Sequence, residues 1–212
     1  MKRSQETEKR IIEAALALFV RKGYHGTSIN EITQKINLTK GALYSHFDSK
    51  GALLLRIIDE FKVKYVDELI KAGKNWRGNA LDKFHCMISF GARFALNNVD
   101  LSVFLTFLST ELKADVDFEP ALKGVYNEFH KYVADLIRQG IRQGFFREDL
   151  SPDLQGTVYL ALHDGILHQW TINRDHLDGV QYMRAFRRIF FHGIVKRQAD
   201  APSGQNKGAG TF

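Results

Sequence analysis

A helix-turn-helix pattern between residues 28 and 47 constrains the fold of this chain more than any other feature. The segment 28–31, Ser-Ile-Asn-Glu, has capping-box spacing, in which Ser begins a helix and Glu follows three residues later. The apolar residues that follow share one helix face: Ile29, Ile32 and Ile36. Asn37 tolerates the left-handed backbone of a tight turn, and Thr39 can cap a second short helix. Two short helices joined by such a turn are a helix-turn-helix.

Helical periodicity continues on both sides of this motif. The first predicted helix runs from about Thr7 to Lys22, with Gly23 where a C-terminal cap belongs. A fourth helix is predicted to begin after Asp48 or Ser49 and to end near Gly73, long enough to connect a small head to a second body. Five more are predicted at about Ala80–Asn97, Leu101–Ala114, Glu119–Gln143, Pro152–Asn173 and Val180–Lys196. The prediction is therefore an all-α chain of about nine helices, with a tail at 198–212 that is too polar and Gly-rich to pack.

Composition restricts the classes of protein to consider. The chain has 212 residues, 44% of them hydrophobic and 25% charged, as in an ordinary globular protein. Its single cysteine, Cys86, excludes an internal disulfide and fits a reducing, cytoplasmic location. Since no apolar run approaches the roughly 18 residues of a membrane helix, we expect no membrane span. The polar N-terminus also lacks the apolar run of a secretory signal.

Positive charge is concentrated near the motif. Residues 1–64 carry twelve Lys or Arg and seven Asp or Glu, an excess of five out of a net charge of +6 for the whole chain. A local positive excess attracts a polyanion such as DNA. Because charge alone also fits a merely basic surface, the argument depends on the motif.

The stretch 23–54, GYHGTSINEITQKINLTKGALYSHFDSKGALL, resembles the signature of the TetR/AcrR family of transcriptional regulators. The matching residues are Phe19, Gly23, Thr27, Ile32, Leu38, Thr39, Gly41, Leu43, Tyr44, His46, Phe47, Lys50 and Leu53. The resemblance implies a three-helix DNA-binding head at 1–50, and a regulatory, ligand-binding and dimerisation domain at 51–197. The chain departs from the family pattern at Asn37, where glycine is usual, and at Thr33, where alanine is usual.

The second helix of a helix-turn-helix presents its N-terminal residues to base edges in the major groove of double-stranded DNA. Lys40 can donate to guanine or to a phosphate, Gly41 permits close approach, and Ala42 can touch a thymine methyl group. The predicted DNA contacts are Thr27, Ser28, Thr39, Lys40, Gly41, Ala42, Tyr44, His46 and Lys50. Tyr44 and His46 can instead be packing residues, and Thr27 and Ser28 can act as caps alone.

The resemblance also implies a homodimer on a palindromic operator and a small hydrophobic or aromatic ligand. The expected pocket residues are Phe90, Arg93, Phe94, Phe107, Glu111, Tyr126, His130, Tyr159 and His163. A buried Arg93 would need an anionic partner, such as Glu111 or the ligand. The expected dimer contacts are Leu162, Ile166, Trp170, Phe186, Ile189 and Phe190 on the last two helices. The opposing interpretation places these residues in the core of one chain.

Two alternative functions stay open at the level of sequence. A DNA-binding regulator controlled by a protein partner, without a small-molecule effector, fits the same motif. A helical enzyme is the remote alternative, because the sequence has no HExxH, phosphate loop or nucleophile elbow. His163 and His168, five apart on a helix, are poorly spaced to share a metal. We therefore expect no enzyme, no metal and no cofactor.

Overall fold

The computed structural model describes residues 2–108 and 117–195, without the side chains of residues 2, 3 and 107. The first part contains α1 (Lys2–Lys22), α2 (Ile29–Lys35), α3 (Lys40–Tyr44), α4 (Lys50–Phe61), α5 (Glu68–Asn75), α6 (Ala80–Asn97) and α7 (Val99–Leu108). The second contains α8 (Glu119–Arg142), α9 (Pro152–Asn173) and α10 (Gly179–Ile194). Within these described ranges the only pairing of β type is one isolated bridge between Phe146 and Val195. The prediction of an all-α fold is confirmed.

The helix boundaries follow the capping residues. Ser28 and Glu31 form the capping box at the start of α2, and the Thr39 side chain accepts from the Ala42 backbone N–H at the start of α3. Ser49, rather than Asp48, caps α4 by accepting from the Ala52 N–H at 3.0 Å. Left-handed backbone occurs at Gly23, Asn37 and Gly144, with φ of 75°, 53° and 75°. The turn between α2 and α3 therefore has the geometry predicted from Asn37.

The first helix is longer than predicted. It begins at Lys2 rather than near Thr7, although residues 2–6 have no apolar periodicity. Lys, Arg, Gln and Glu favour helix through their unbranched side chains, and this extension needs no packing partner. The seventh helix begins at Val99 rather than Leu101, and its predicted end at Ala114 lies outside the described residues, as does the tail at 198–212.

The predicted fourth helix is one continuous rod with an irregular middle. It consists of α4, a π-helical stretch (Lys62–Asp67) and α5, so the described residues contain nine helices when the rod is counted once. A π-helix has a wider turn than an α-helix and is uncommon. Here it turns Tyr65 and Val66 into the core, where both are almost fully buried.

A single apolar core runs through the molecule. Ile11, Ile32 and Leu43 hold α1, α2 and α3 together, and α1 also packs against α4 and α7. The Phe19 ring stacks on Phe104 of α7, with centroids 5.6 Å apart. Behind this contact α8 packs along α9, and α6 packs on α5, α7 and α8. The head is thus in apolar contact with the body through α7 as well as through the rod.

Candidate functional site

The outer face of α3 is polar and accessible, whereas its inner face is apolar and buried against the head. Leu43 is fully buried and Phe47 nearly so, which holds the short helix against the head. Thr39, Lys40, Gly41 and Tyr44 are exposed, whereas Ala42 and His46 are half-buried. Burial of one face orients the other, and six of the nine predicted DNA contacts therefore share one continuous element of the surface.

Gly41 has open space around it. A methyl group built on its Cα would meet only the Thr39 Oγ1 atom, at 4.0 Å. Neither packing nor backbone conformation within the chain requires glycine here, because its φ is not left-handed. The missing side chain leaves room for something outside the chain to approach the backbone.

Thr27 and Ser28 act first as structural residues. The Thr27 side chain is buried and its hydroxyl donates to the Gly23 carbonyl at 2.9 Å, so the structure does not present it to a ligand. Ser28 is exposed but exchanges hydrogen bonds with Glu31. Hydrogen bonds from Lys22 first and from Ser28 next lower the pKa of Glu31 to about 2. Glu31 therefore stays ionised and fixes the start of α2.

Lys50 is held by the head itself. Its Nζ donates to the carbonyl oxygens of Tyr24 and Thr27, each at 3.0 Å, and lies 4.3 Å from the centroid of the Tyr24 ring. These contacts fasten the start of α4 to the loop between α1 and α2. An ammonium group has three donors, and two of them are used here.

The body contains a cavity of about 550 Å³ between α6, α9 and α10. This volume falls in the usual range for small-molecule sites. Its apolar walls include Ile88, Leu96, Ile166, Leu167, Met183 and Phe186. The polar and charged residues that line it include Arg93, Tyr159, His163, Asp178, Arg184 and Arg187.

Of the seven predicted pocket residues whose side chains the structure describes, three line this cavity: Arg93, Tyr159 and His163. Arg93 is exposed, so the expectation of a buried guanidinium is wrong, because α6 turns this position towards solvent. His130 faces away and bonds to the Asp153 carbonyl and to Thr157. Phe90 is half-buried, with its ring 6.0 Å from that of Tyr65. Glu111 and the Phe107 side chain lie outside the described residues.

A second, smaller cavity of about 40 Å³ adjoins the first, and His163 lines both. It also contains two predicted pocket residues, Phe94 and Tyr126, as well as Tyr65 and Asp164. The Tyr65 hydroxyl lies 3.0 Å from His163 Nε2, and His163 Nδ1 lies 3.2 Å from Asp164 Oδ1. Burial above all raises the pKa of Tyr65, so the hydroxyl keeps its proton. It donates to Nε2 in the tautomer in which His163 Nδ1 carries the proton and donates to Asp164. The π-helical stretch is thereby bonded to the wall of the large cavity.

The six predicted dimer contacts divide into two groups. Leu162 and Ile189 are exposed, the latter by 74%. Ile166, Trp170 and Phe186 instead line the large cavity, and Phe190 packs on Phe84 and Tyr159 in the core. The interpretation that these residues belong to the interior of one chain thus fits the second group. Further exposed apolar residues that the sequence analysis did not assign lie on α9: Leu154, Val158 and Ile172.

Sequence reasoning missed the two arginines of α10 that line the cavity. Arg184 and Arg187 are three residues apart and so lie on one side of the helix, next to Met183 and Phe186. That spacing is visible in the sequence, but the prediction of a dimer interface on α10 places the apolar residues of this helix on the outside of the chain rather than on a cavity wall.

None of the helices in the described ranges has the combined length and apolarity that crossing a bilayer requires.

Comparison with known proteins places the head in a described family. The family model for bacterial regulatory proteins of the tetR family matches residues 11–57. This range covers the second half of α1, all of α2 and α3 and the first part of α4, which are the elements that support the candidate interface.

Longer similarities extend over most of the chain. The HTH-type transcriptional regulator TtgR of Pseudomonas putida is 23% identical over 182 residues, covering 82% of this chain and 85% of that protein. The crystal structure of the MbdR regulator from Azoarcus sp. CIB has a TM-score of 0.78 at 28% identity, covering 87% of this chain and 97% of that one. The FadR regulator from Bacillus subtilis, solved with stearoyl-CoA, has a TM-score of 0.76 at 18% identity, covering 88% and 98%. The last of these shows the shared fold only.

Proposed function

Because this chain belongs to the TetR family of bacterial regulatory proteins and is a DNA-binding transcriptional regulator, we propose that it is a homodimeric repressor whose release from DNA is controlled by a small ligand. In this proposal residues 1–50 form the DNA-binding head and residues 51–197 form the sensing and dimerisation domain. The observation that carries the proposal is the exposed N-terminal turn of α3 on a buried apolar base, in a basic part of the chain.

We assign the reading of bases to Thr39, Lys40, Gly41 and Ala42, which begin α3. Residues at this end of a recognition helix reach the base edges of the major groove. Tyr44, His46 and Ser28 are assigned to phosphate oxygens, which set the register of the protein on the duplex. Lys50 can add to these contacts only through the donor that its two carbonyl partners leave over.

The dimer is proposed to form through the exposed faces of α9 and α10. Leu154, Val158 and Leu162 repeat every four residues on α9 and are between 42% and 55% exposed. Such a stripe, with Ile189 on α10, is apolar surface that a second copy would remove from water. Two helices from each chain would form a four-helix interface. A two-fold dimer matches a palindromic operator.

Ligand release is proposed to operate through the rod. A ligand in the large cavity touches His163, and His163 holds Tyr65 of the π-helical stretch. Displacing the imidazole would alter the rod between the body and the head. A ligand that binds one arrangement of the dimer more tightly than the other shifts the population by that difference in affinity. The apolar residues that line the large cavity support an effector that is at least partly apolar.

The first test is DNA binding by the full chain. We expect salt-dependent affinity for a palindromic fragment, found by genome-wide mapping of bound DNA and by testing the region that flanks the protein's own gene. The logarithm of the affinity should fall linearly with the logarithm of salt concentration. Absence of salt-sensitive binding to every double-stranded fragment would refute the proposal.

The second test concerns the effector. Isothermal titration of an identified ligand should give tighter binding to the free protein than to the operator complex, because linkage is reciprocal. Equal affinity for both forms would mean that the ligand does not control release. A thermal-shift screen in which no ligand stabilises the protein would favour control by a protein partner instead.

A further inference from the structure

We infer that the large cavity accepts an anionic amphiphile, a molecule with an apolar chain or ring and a carboxylate or phosphate head. This inference rests on the proposed function and specifies its ligand. It depends on the charged residues that line the cavity. The expectation of a hydrophobic or aromatic ligand, drawn from the sequence, does not take these charges into account.

The charges at the cavity are mostly positive. Among the described residues, three arginines line it, Arg93, Arg184 and Arg187, against one acidic residue, Asp178. The Asp178 side chain is engaged elsewhere, since its Oδ1 accepts from the backbone N–H groups of Val180 and Gln181 at the start of α10. The described residues that line the cavity therefore carry an excess of positive charge. A neutral ligand would form no ion pair with it.

Two other arginines in the described part of the body are paired with carboxylates, unlike these three. Arg138 is paired with Asp135 and Asp153, and Arg147 with Asp149. Of the ion pairs found among the described residues, none involves Arg93, Arg184 or Arg187. Guanidinium groups recognise carboxylate and phosphate through paired hydrogen bonds.

Arg187 is held in place without being neutralised. Its Nη2 lies 3.4 Å from Nδ1 of His85, which rests on the Phe191 ring with centroids 4.1 Å apart. Burial first, and the Arg187 charge second, lower the pKa of His85. The imidazole is therefore neutral and can accept from the guanidinium while leaving its positive charge uncompensated.

The exposure of the residues that line the cavity predicts how the ligand is oriented within it. Arg93 and Arg184 are exposed and Arg187 is half-buried, whereas Tyr159 and Phe186, which also line the cavity, are buried. The head group would thus remain near solvent with the arginines, and the apolar part would enter between α6, α9 and α10. This arrangement avoids transferring a charge into the apolar interior.

Trp170 provides a readout at the cavity that does not depend on DNA. It lines the cavity, and the only other tryptophan, Trp76, is exposed at the end of α5. In a Trp76→Phe background, intrinsic fluorescence reports on Trp170 alone. The probes are decanoate, decyl phosphate, decanol and decyltrimethylammonium, each kept below its micelle-forming concentration.

We expect decanoate, decyl phosphate or both to bind at least about tenfold more tightly than decanol, and the cation to bind least. The two anions distinguish a free acid from a phosphate-bearing ligand. Arg93→Ala and Arg184→Ala should each raise the Kd of the preferred anion and leave that of decanol unchanged. Arg188→Ala is the matched control, because Arg188 is exposed on the same helix and does not line the cavity.

The inference is overturned if decanol or the cation binds as tightly as both anions, if no probe changes Trp170 emission, or if Arg188→Ala weakens anion binding as much as Arg184→Ala. Operator binding of the ligand-free protein is measured in parallel. If the operator is bound but the anions are not preferred, only the ligand class fails. If the operator is not bound, the proposed regulatory function fails whatever the cavity accepts.

Discussion

At the scale of single residues, a substitution at Gly41 is expected to weaken DNA recognition without impairing folding. A methyl group there meets only Thr39 Oγ1 at 4.0 Å, so Gly41→Ala should fold and gain up to about 1 kcal/mol from the better helix propensity of alanine. Its affinity for the operator should nevertheless fall at least about tenfold, because the methyl group would stand between the backbone and a base edge. Denaturant unfolding and a binding titration measure the two effects.

Gly124→Ala is the matched control for this change. Gly124 is an exposed glycine of α8 with open space where its Cβ would be, so its substitution should stabilise the chain similarly and leave operator affinity unchanged. Wild-type affinity in Gly41→Ala would contradict the assignment of this surface to DNA.

Lys50 is expected to combine a structural contact with a DNA contact. Lys50→Ala removes two hydrogen bonds to backbone carbonyls and should lower the free energy of unfolding by about 1–3 kcal/mol. If the remaining donor reaches a phosphate, the slope of log affinity against log salt should also decrease by about one.

Lys40→Ala is the comparison for Lys50→Ala, because Lys40 is exposed at the start of α3. It should leave the free energy of unfolding unchanged. If it contacts a phosphate the salt slope falls, and if it reads guanine the specificity at one base position relaxes at a cost of about 1–3 kcal/mol. A Lys50→Ala variant that is destabilised but keeps the wild-type slope would make Lys50 a folding residue only.

At the scale of elements, the π-helical stretch connects the rod to the core of the body and to the wall of the large cavity. Its geometry turns Tyr65 inwards, where the ring contacts Phe61, Phe94 and Phe129 and the hydroxyl reaches His163. Phe61, Tyr65 and Leu69 are spaced four apart, a longer period than the 3.6 residues of an α-helix. The same spacing occurs along one face of an ordinary α-helix, so it could not predict the wider turn.

The Tyr65–His163 hydrogen bond can be measured with a double-mutant cycle. Tyr65→Phe leaves a half-buried imidazole nitrogen without its hydrogen-bond partner and should lower the free energy of unfolding by about 0.5–1.5 kcal/mol. In a His163→Leu background the same change should cost much less, since its partner is already absent. Equal costs in both backgrounds would show that the two side chains are not coupled, and would remove the link from cavity to rod.

At the scale of the whole molecule, the exposed apolar faces of α9 and α10 predict the assembly. Leu162→Glu combined with Ile189→Glu should convert the proposed dimer into monomer and lower operator affinity, because a charge in an apolar interface is costly. Light scattering after size exclusion gives the mass. Val63→Glu, a change to another exposed apolar residue, should leave the mass unchanged, and a dimeric double variant would place the interface elsewhere.

The local structure of this protein follows from interactions between residues that are close together in the sequence. Ser28, Thr39 and Ser49 are capping residues, and Asn37 takes the left-handed turn, because caps and turns depend on neighbours in the chain and on backbone sterics. The helix order and the exposed start of α3 follow from the same short-range rules together with apolar periodicity. The motif was sufficient to predict the family, because its spacing lies within one contiguous stretch.

The packing of the helices against one another determines which face of each body helix turns inwards. Both sides of α9 and α10 carry apolar residues, so periodicity could not tell the cavity wall, with Trp170 and Phe186, from the outward residues Leu162 and Ile189. It likewise could not show that Thr27 is buried, that Arg93 is exposed, or that Arg184 and Arg187 line the same cavity as Arg93. Such contacts join residues far apart in sequence, and they are set by how the helices pack.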